Sequence, residues 1–447
     1  MSSQNRKIFS LLVIIICIIF NDTNISFALG KDTHKSINEY VSQQNLNKFS
    51  LNDYLKIQLG MKEGTETYFK SDYLDQQVFK WIGYGGKKED AGFRSANHFL
   101  NPITNTGLSG NYSALQWATL SVATQSFSPF ASWNDVRNNY LKALTAKDKE
   151  TREDYFAMTF QGIGQVMHLV EDMSVPAHVR NDLHPPPFWN DGYEDWAKRI
   201  NDATILGSNY KPYSAYAAYD SSFLIPQLFD TDRYKGLSPD PLVTLLNNSG
   251  LAEYTNANFF SEDTMTAANF PYPKTDSNKK TAKSYTGPEA TYSREYFYKD
   301  CGEDYCQENA PEKNYSGYLL SAVDLNDYWR MQNPNSSNPK PIVPILDENV
   351  HKDYANLLIP RAIGYSSQVL KYFFRGQLDV VLDDGNIKIK NASDETISGG
   401  TFEFYYDKDG VRTLLASAAA NSLATGNEQT ITFNKPEGAT SYMLVYQ

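Results

Sequence analysis

The stretch HLVEDMSVPAHVRND, residues 168–182, places two histidines and several acidic residues around the end of a strongly periodic helix. His168 and Asp172 are four residues apart. Helical residues with this spacing share a face, so both side chains can reach the same ion. Pro176 cannot continue the helix, and its predecessor is biased toward an extended conformation, so the chain turns and brings His178 back to the same place. Two interpretations follow: a packed helix end that contains histidines, or a metal site.

Further residues of metal-binding type lie on both sides of this stretch. Imidazole nitrogen and carboxylate oxygen are the ligands that suit zinc. The additional candidates are His34, Asp90, His98, His184, Asp191 and Glu194. Any one of these histidines alone would more often be a packed or surface residue, but the whole set favours a metal site over coincidence. His351 is not a candidate, because the sequence VHKDY offers no ligand partner nearby.

The composition favours a globular chain with a sizeable core and disfavours one class of partner. The 447 residues are 41% hydrophobic and 14% aromatic, and this length suggests about two to three domains. The net charge is −11, and the chain has no long basic run. Wrapping duplex DNA needs clustered Lys and Arg, so this function is disfavoured. An acidic chain can still hydrolyse phosphate esters if metal ions supply the positive charge.

The N-terminus has the pattern of an export signal. Arg6 and Lys7 precede the apolar run IFSLLVIIICIIF, and a polar segment then ends in Ser-Phe-Ala. Small residues at the first and third positions before a cut are typical of signal-peptidase sites. We therefore predict a signal peptide over residues 1–28, cleavage after Ala28, and a secreted or periplasmic protein. The alternative is a retained membrane anchor, but the apolar run is short for a bilayer span.

Hydrophobic periodicity predicts a mainly α fold over residues 29–376, with strong helices beginning near Phe156 and Asp353. Between residues 270 and 344 the sequence is rich in Pro, Lys, Ser and Asn and shows no periodicity. We interpret this part as a long irregular insertion, either a functional lid or a disordered segment.

The insertion contains Cys301 and Cys306 in the sequence YKDCGEDYCQENA. Two cysteines close together in an exported chain most simply form a short-loop disulfide. A zinc site built on this pair would need two more soft ligands, and the remaining cysteine, Cys17, leaves with the predicted signal. We therefore predict a disulfide bond.

After residue 376 the pattern changes from helix to strand. The segments NIKIKNA, GGTFEFYYDKDG, QTITFNK and SYMLVYQ alternate or are rich in β-forming residues, and turn residues separate them. This pattern predicts a small antiparallel β-sandwich of the immunoglobulin-like kind over residues 377–447.

Several of these segments together resemble a known superfamily. THKSINEY, the ED…R…NHF.NP segment and the H-x3-D-x5-H pattern ending in P-A-H resemble the zinc-dependent phospholipase C / P-one nuclease superfamily, exported all-α enzymes with three zinc ions. The resemblance covers roughly residues 29–375 and implies an all-helical catalytic domain. It implies that Asp90, His98 and His168 bind one zinc ion and that Asp172 bridges this ion to a second.

The resemblance also implies how the other zinc ions are bound. The second zinc would be completed by His34 and by the amine and carbonyl of the mature N-terminal residue, which is Leu29 after the predicted cleavage. His178 and Glu194 match the ligands of a third zinc. The family's usual histidine four residues before that acid is replaced here by Asn190. His184 or Asp191 could take its place, or the third site could be weak or empty.

The activity that the resemblance implies is phosphodiester hydrolysis by a bridging hydroxide in a di- or trinuclear zinc site. Asp172 would organise this hydroxide, and Asp90 is the other carboxylate able to help deprotonate water. A phospholipid is the favoured substrate, with contact to a membrane surface, because some secreted lipases of this family carry a C-terminal β-domain. A secreted single-strand nuclease is the alternative, because both substrates present the same phosphodiester. The 31 tyrosines fit base stacking, lipid insertion or simply a polar surface.

A hypothesis from a different class is a non-catalytic adhesion or scaffold protein whose zinc is structural. Structural zinc sites are closed by four protein ligands, whereas catalytic sites leave a position for water. Too many histidines and carboxylates cluster in this sequence for one closed site, so this hypothesis ranks below the two enzymes. No stable protein partner is predicted.

The predicted signal peptide can be tested directly. Purified exported protein should begin at Leu29 and carry two to three zinc ions, because the free α-amine of Leu29 is then available as a ligand. N-terminal sequencing together with elemental analysis of the same sample measures both. An intact Met1 would contradict both the cleavage and the ligand role of Leu29.

Overall fold

The fold is described from a computed structural model. It describes residues 29–120, 131–184, 191–210, 224–232, 234, 249–265, 270, 273, 276–286, 291–300, 317–324, 344–383 and 385–447. The chain divides into two compact units. The first unit comprises Met1–Ile37, Lys87–Ala118 and His168–Ser366, and the second comprises Asn38–Gly86, Thr119–Met167 and Ser367–Gln447.

Helices account for most of the regular structure before residue 270. They are α1 (Lys31–Gln43), α2 (Leu51–Gln58), α3 (Val78–Glu89), α4 (Ala114–Thr119), α5 (Trp133–Thr145), α6 (Lys149–Asp172), α7 (Pro176–Val179), α8 (Gly192–Ala197), α9 (Ala203–Asn209), α10 (Leu224–Phe229) and α11 (Leu251–Asn258). Short 3-10 turns cover Gly64–Glu66, Gly92–Asn97, Leu108–Gly110 and Glu262–Thr264. A last long helix, α12, covers Glu348–Phe373. The two predicted long helices are confirmed as α6 and α12, but α6 begins at Lys149 rather than near Phe156, and α12 begins at Glu348 rather than near Asp353.

The second unit is built around a close crossing of α3 and α6. A Cβ atom added to Gly85 would lie 2.0 Å from the Gln161 carbonyl oxygen, and one added to Gly164 would lie 2.0 Å from the Ile82 carbonyl oxygen. The Asn38 side chain donates hydrogen bonds to both helices at this point, to Gly164 O at 3.0 Å and to Ile82 O at 3.3 Å. The two backbones can approach this closely only because glycine has no side chain.

Aromatic side chains fill the rest of the helical core of the second unit. The Phe69 ring centroid lies 4.9 Å from that of Phe156, and Phe160 lies 6.3 Å from Phe156. Phe69 belongs to a hairpin of β3 (Tyr68–Ser71) and β4 (Leu74–Gln77), and a shorter pair joins β1 (Asn45–Leu46) and β2 (Phe49–Ser50). The expectation of an all-helical catalytic region is therefore wrong in detail, because strands also occur before residue 376.

The part of the chain predicted to be irregular contains a three-stranded antiparallel sheet. Its strands are β5 (Asp276–Thr286), β6 (Thr291–Asp300) and β7 (Gly317–Asp324), in the order β5-β6-β7. Residues 318–323 of β7 (YLLSAV) are all buried and largely apolar, so the strand lacks the alternation typical of a half-buried strand. The prediction of irregular structure over residues 270–344 was wrong for these three segments.

The N-terminus of α12 is tied to this sheet by one carboxylate. Asp347 Oδ1 accepts hydrogen bonds from the backbone N–H groups of Asn349 and Val350, which caps the helix. Its other oxygen accepts hydrogen bonds from the Arg294 guanidinium at 2.6 Å and from the Tyr296 hydroxyl at 2.9 Å. Both donors lie on β6, so the cap of α12 also fixes the position of the sheet.

The C-terminal strands form two three-stranded antiparallel sheets, ordered β11-β10-β13 and β12-β9-β8. The strands are β8 (Leu378–Asp383), β9 (Asn386–Asn391), β10 (Thr401–Lys408), β11 (Val411–Ala419), β12 (Glu428–Thr432) and β13 (Ser441–Tyr446). Ile387 and Ile389 of one sheet and Phe402 and Phe404 of the other belong to one buried apolar cluster. The chain is thus mainly helical with antiparallel sheets in its C-terminal region, and the immunoglobulin-like topology stays a prediction.

The C-terminal strands belong to the same compact unit as several helical segments, and the domain boundary at residue 376 stays a prediction. The backbone N–H of Arg412 donates to the Lys147 carbonyl at 2.7 Å, and the Arg412 guanidinium forms an ion pair with Asp407 at 2.8 Å. The N–H of Leu378 also donates to the Gln58 side chain at 3.0 Å. The contacts of Arg412 with Lys147 and of Leu378 with Gln58 join the strands to the loop between α5 and α6 and to the end of α2.

Two further predictions fall outside the described residues. The signal peptide over residues 1–28 and the disulfide between Cys301 and Cys306 both lie in segments that the structure does not describe. None of the described helices is long and apolar enough to cross a membrane.

The crossing of α3 and α6 generates a stability prediction. Gly164→Ala should lower the free energy of unfolding by about 1–3 kcal/mol, because the new methyl group overlaps the Ile82 carbonyl and forces the backbones apart. Gly376→Ala is the control, since a Cβ there meets nothing within 4 Å. Urea denaturation of both variants and the wild type measures the effect. Equal midpoints for the two variants would contradict the close crossing.

Candidate metal centre

Buried histidines and carboxylates converge in the first unit from seven parts of the chain. His34 lies on α1, Asp90 directly after α3, and His98 directly after the 3-10 turn Gly92–Asn97; the others are His168 and Asp172 at the end of α6, His178 on α7, His184 after it and Glu194 on α8. None of these eight residues is more than 5% exposed to solvent. Burying a charge is costly unless it is paired or bound to a metal, so the arrangement requires compensation.

The residues form three groups in which the possible ligand atoms lie within 4.8 Å of one another. The groups are His34, His168 and Asp172; Asp90, His98 and His168; and His178, His184 and Glu194. The first two groups share His168, so two ions bound there would be adjacent. The structure therefore brings together eight of the ten residues that the sequence analysis named as possible ligands, all except Leu29 and Asp191.

The two oxygen atoms of Asp172 face different partners. Oδ2 lies 3.0 Å from His98 Nδ1 and 3.2 Å from His168 Nε2, while Oδ1 lies 3.3 Å from His34 Nε2. Oδ1 is also 3.5 Å from His178 Nδ1. A carboxylate that presents one oxygen to each of two ligand sets has the geometry needed to bridge two cations.

The distances among these atoms fit a zinc site. His98 Nδ1 and His168 Nε2 are 3.3 Å apart, and each lies 3.7 Å from Asp90 Oδ1. Ligand atoms around a tetrahedral zinc with bonds of about 2.1 Å are separated by about 3.4 Å. Within the described part of the chain, both side-chain oxygens of Asp90 and of Asp172 are buried without a hydrogen-bond partner. Buried acceptors in this state favour a cation between them.

In the third group, a backbone carbonyl determines which ring nitrogen of His184 faces Glu194. His184 Nδ1 lies 2.7 Å from the carbonyl oxygen of Asp182, which can only accept, so Nδ1 carries the hydrogen. Nε2 then faces Glu194 Oε1 at 3.1 Å, and His178 Nε2 lies 3.1 Å from the same oxygen. In the neutral ring, the lone pair of His184 is therefore on Nε2 and points into the group, as a metal ligand requires.

The other candidate for this position is Asp191. The side chain of Asp191 caps α8, because its Oδ1 accepts a hydrogen bond from the Glu194 N–H at 2.8 Å. Asp191 thus has a structural partner of its own and does not belong to the third group. Asn190, where the sequence departs from the family pattern, lies outside the described residues.

The local sequence explains why His178 returns to the centre. α6 ends at Asp172, and Pro176 is the first residue of α7, where the missing N–H of proline costs no hydrogen bond. The carbonyl oxygen of His178 accepts a hydrogen bond from the Leu100 N–H at 3.1 Å, which joins the turn to the segment that carries His98. The predicted turn at Pro176 is confirmed.

Two buried carboxylates that the sequence analysis did not single out support the centre. Glu89 accepts hydrogen bonds from Arg94 at 2.8 Å and from the Trp117 indole at 2.9 Å, and its Oε1 lies 3.8 Å from His98 Nε2. Glu171 accepts from His34 Nδ1 at 2.6 Å. Each glutamate directly precedes a proposed aspartate ligand, in the pairs Glu89-Asp90 and Glu171-Asp172. This repeated Glu-Asp pair is the feature of the sequence that could have indicated the two supporting carboxylates.

The predicted role of Leu29 remains a prediction. Its side chain is fully buried, and the carbonyl of the next residue, Gly30, accepts a hydrogen bond from the His34 N–H at 3.2 Å. Leu29 and His34 therefore lie in one ordered segment at the start of α1. The amine that would bind a metal exists only after the predicted cleavage.

Protons on the histidine rings compensate the carboxylates when no metal is bound. Burial lowers the pKa of His34, but the nearby charges of Asp172 and Glu171 and the hydrogen bond with Glu171 outweigh it and raise the pKa to about 10. His184 behaves in the same way beside Glu194, and its pKa is also raised to about 10. The pKa of Glu194 is lowered to about 2, since the charges and hydrogen bonds of the neighbouring histidines outweigh the effect of burial.

Comparison with known proteins adds little to this geometry. No family model and no curated protein matches the chain. Among solved structures, an alpha toxin from Clostridium absonum matches with 13% sequence identity and a TM-score of 0.27, covering 91% of this chain and 83% of that chain. A TM-score this low does not establish a common fold. The functional interpretation therefore depends on the residues of the centre.

The raised pKa values of His34 and His184 generate a prediction about zinc binding. At pH 7 both rings are protonated in the metal-free protein, so zinc binding should release at least these two protons. Calorimetric titration of zinc in two buffers with different ionisation enthalpies measures this release. The apparent affinity should rise with pH up to about 10. Equal heats in both buffers would contradict the assignment.

Proposed function

We propose that this chain is a zinc-dependent phosphodiester hydrolase of the phospholipase C kind. The observation that carries the proposal is the position of Asp172, whose two buried oxygens face two adjacent groups of histidines. Two ligand groups that share residues in this way are suited to two cations a few Å apart. Adjacent divalent cations are typical of enzymes that hydrolyse phosphate esters.

Zinc bound at this centre would supply Lewis acidity, which polarises phosphoryl oxygens and lowers the pKa of water. The residues of the chain supply the rest of the chemistry. Asp172 would neutralise part of the charge of two neighbouring dications and keep them together. Asp90 provides the second carboxylate at the same place, within reach of His98 and His168.

The third group supports a catalytic rather than a structural role. It offers three ligand atoms from the described residues, His178, His184 and Glu194. Catalytic zinc sites keep an open position beside three protein ligands, whereas structural sites are closed by four. This pattern favours an enzyme over the non-catalytic scaffold protein.

The proposed substrate is a phospholipid at a membrane surface. The protein would act on it outside the cytoplasm, after export. The net charge of −11 supports a lipid over a nucleic acid, because phosphate backbones favour basic surfaces. Antiparallel sheets in the C-terminal region agree with the β-domain that some secreted lipases of the resembling superfamily carry. A single-strand nuclease uses the same phosphodiester chemistry and is the alternative that the assay must separate.

The role of Asp172 is tested by Asp172→Asn. The amide lacks the negative charge that lets two dications lie close together, so at least one bound zinc should be lost and hydrolysis of phosphodiesters should fall by several orders of magnitude. Asp195→Asn is the matched control, because Asp195 lies on α8 in an exposed ion pair with Lys198. Zinc content, turnover and circular dichroism are measured on the same samples. Full zinc occupancy with unchanged turnover would show that the centre does not bind zinc through Asp172.

The substrate class is tested with the wild-type protein. Phosphatidylcholine vesicles should release a phosphorylated headgroup, and a metal chelator should abolish the release. Single-stranded DNA is incubated in parallel under the same conditions. Cleavage of DNA without release of the headgroup would reject the phospholipase and favour the nuclease.

A further inference from the structure

The carboxylate of Glu171 is fully buried beside the centre, although it belongs to none of the three ligand groups. Its Oε2 lies 2.6 Å from His34 Nδ1, and its Oε1 accepts a hydrogen bond from the Ser366 hydroxyl at 2.8 Å. Placing a carboxylate in the interior is costly unless hydrogen bonds compensate it. Both of its oxygens are engaged, which makes this a satisfied and well-fixed group.

Glu171 and Asp172 approach opposite sides of the same ring. They are adjacent at the C-terminal end of α6, and they face the two different nitrogens of His34. Glu171 Oε2 is at hydrogen-bond distance from Nδ1, whereas Asp172 Oδ1 is 3.3 Å from Nε2. A neutral imidazole has one N–H and one lone pair. The short contact with Glu171 places the hydrogen on Nδ1 and leaves the Nε2 lone pair directed at Asp172.

No hydrogen-bond donor among the described residues faces the Nε2 lone pair of His34. In the described part of the chain, Nε2 of His34 and both oxygens of Asp172 are buried and without hydrogen-bond partners. The neutral tautomer therefore turns an acceptor nitrogen toward acceptor oxygens, an arrangement that a cation between them would stabilise. Ser366, on α12, holds the far side of the Glu171 carboxylate and prevents it from turning away.

We propose that Glu171 is a positioning residue that fixes the tautomer and the ring orientation of His34, so that Nε2 binds a metal together with Asp172 and His168. This inference depends on the metal centre proposed above and adds a residue to it. The carboxylate also increases the basicity of the ring, which strengthens the bond from Nε2 to the metal. Carboxylates that accept the second N–H of a metal-binding histidine have this effect in general.

The rival explanation is purely structural: Glu171 forms an ion pair with a protonated His34 that stabilises the fold and has no part in metal binding. The two explanations differ in the zinc-loaded protein. A positioning role requires a neutral His34 with its hydrogen on Nδ1 in that state. An ion pair requires a doubly protonated ring, which cannot bind zinc through Nε2.

The test compares Glu171→Gln with Glu150→Gln. Both residues lie on α6, and Glu150 is exposed in the first turn, so the second variant controls for loss of a glutamate charge on this helix. Zinc affinity is measured by competition with a chromogenic chelator. Glu171→Gln should weaken one zinc by about 10- to 100-fold and leave the other ions unchanged, since the amide is a poorer acceptor. Glu150→Gln should bind zinc like the wild type.

A spectroscopic measurement separates positioning from stability. In zinc-loaded protein with ¹⁵N-labelled histidine, the wild type should show a neutral His34 with Nδ1–H in a strong hydrogen bond, and Glu171→Gln should lose the strong hydrogen-bond signature. Ser366→Ala, which removes only the outer hydrogen bond, should weaken the same zinc by a smaller factor and keeps the test informative if Glu171→Gln does not fold.

The possible failures can be told apart. Wild-type zinc affinity in folded Glu171→Gln, or a doubly protonated His34 in the zinc-loaded wild type, would overturn the positioning role while leaving the metal centre in place. Wild-type protein that binds no zinc at all would overturn the metal centre itself, and the role of Glu171 together with it.

Discussion

The structure of the first unit depends on how the charge of Asp172 is balanced in a place without solvent. Asp172 is fully buried and surrounded by histidine rings from α1, α6, α7 and the segment before α4. Its pKa is held well below the ordinary value, because the charges of His168, His98 and His178 outweigh the effect of burial. Either ring protons or metal cations must supply the balancing charge. The segments that carry these histidines therefore all pack against the C-terminal end of α6.

This constraint gives several neighbouring features a common explanation. The turn at Pro176 ends α6 close to Asp172, and the hydrogen bond from Leu100 holds His178 in place. Glu171 and Glu89 lie behind His34 and His98 on the side away from the ligand groups. The third group has the same kind of support. The Asp182 carbonyl accepts the hydrogen of His184 Nδ1, so Nε2 of this ring faces Glu194.

The sequence predicted which of these side chains lie close together better than it predicted the fold. The spacing of His168, Asp172 and His178 was sufficient, because helix periodicity and a proline turn determine where these side chains lie. The choice between His184 and Asp191 was open, because it depends on the carbonyl of Asp182 and the cap of α8, which are features of tertiary structure. The sheet from β5 to β7 was missed, because a strand buried on both faces lacks alternation and β5 is largely polar. The grouping of the C-terminal strands with helical segments arises from contacts such as that of Arg412 with Lys147, which no local pattern encodes.

The most direct test of the central claim is anomalous X-ray diffraction at the zinc absorption edge, from crystals of the mature protein grown with zinc. We predict separate anomalous peaks for the group of His34, His168 and Asp172 and for the group of Asp90, His98 and His168, with Asp172 between the two ions. A third peak is expected beside His178, His184 and Glu194. A map without peaks at Asp172, with the histidines instead hydrogen-bonded directly to the carboxylates, would contradict the account.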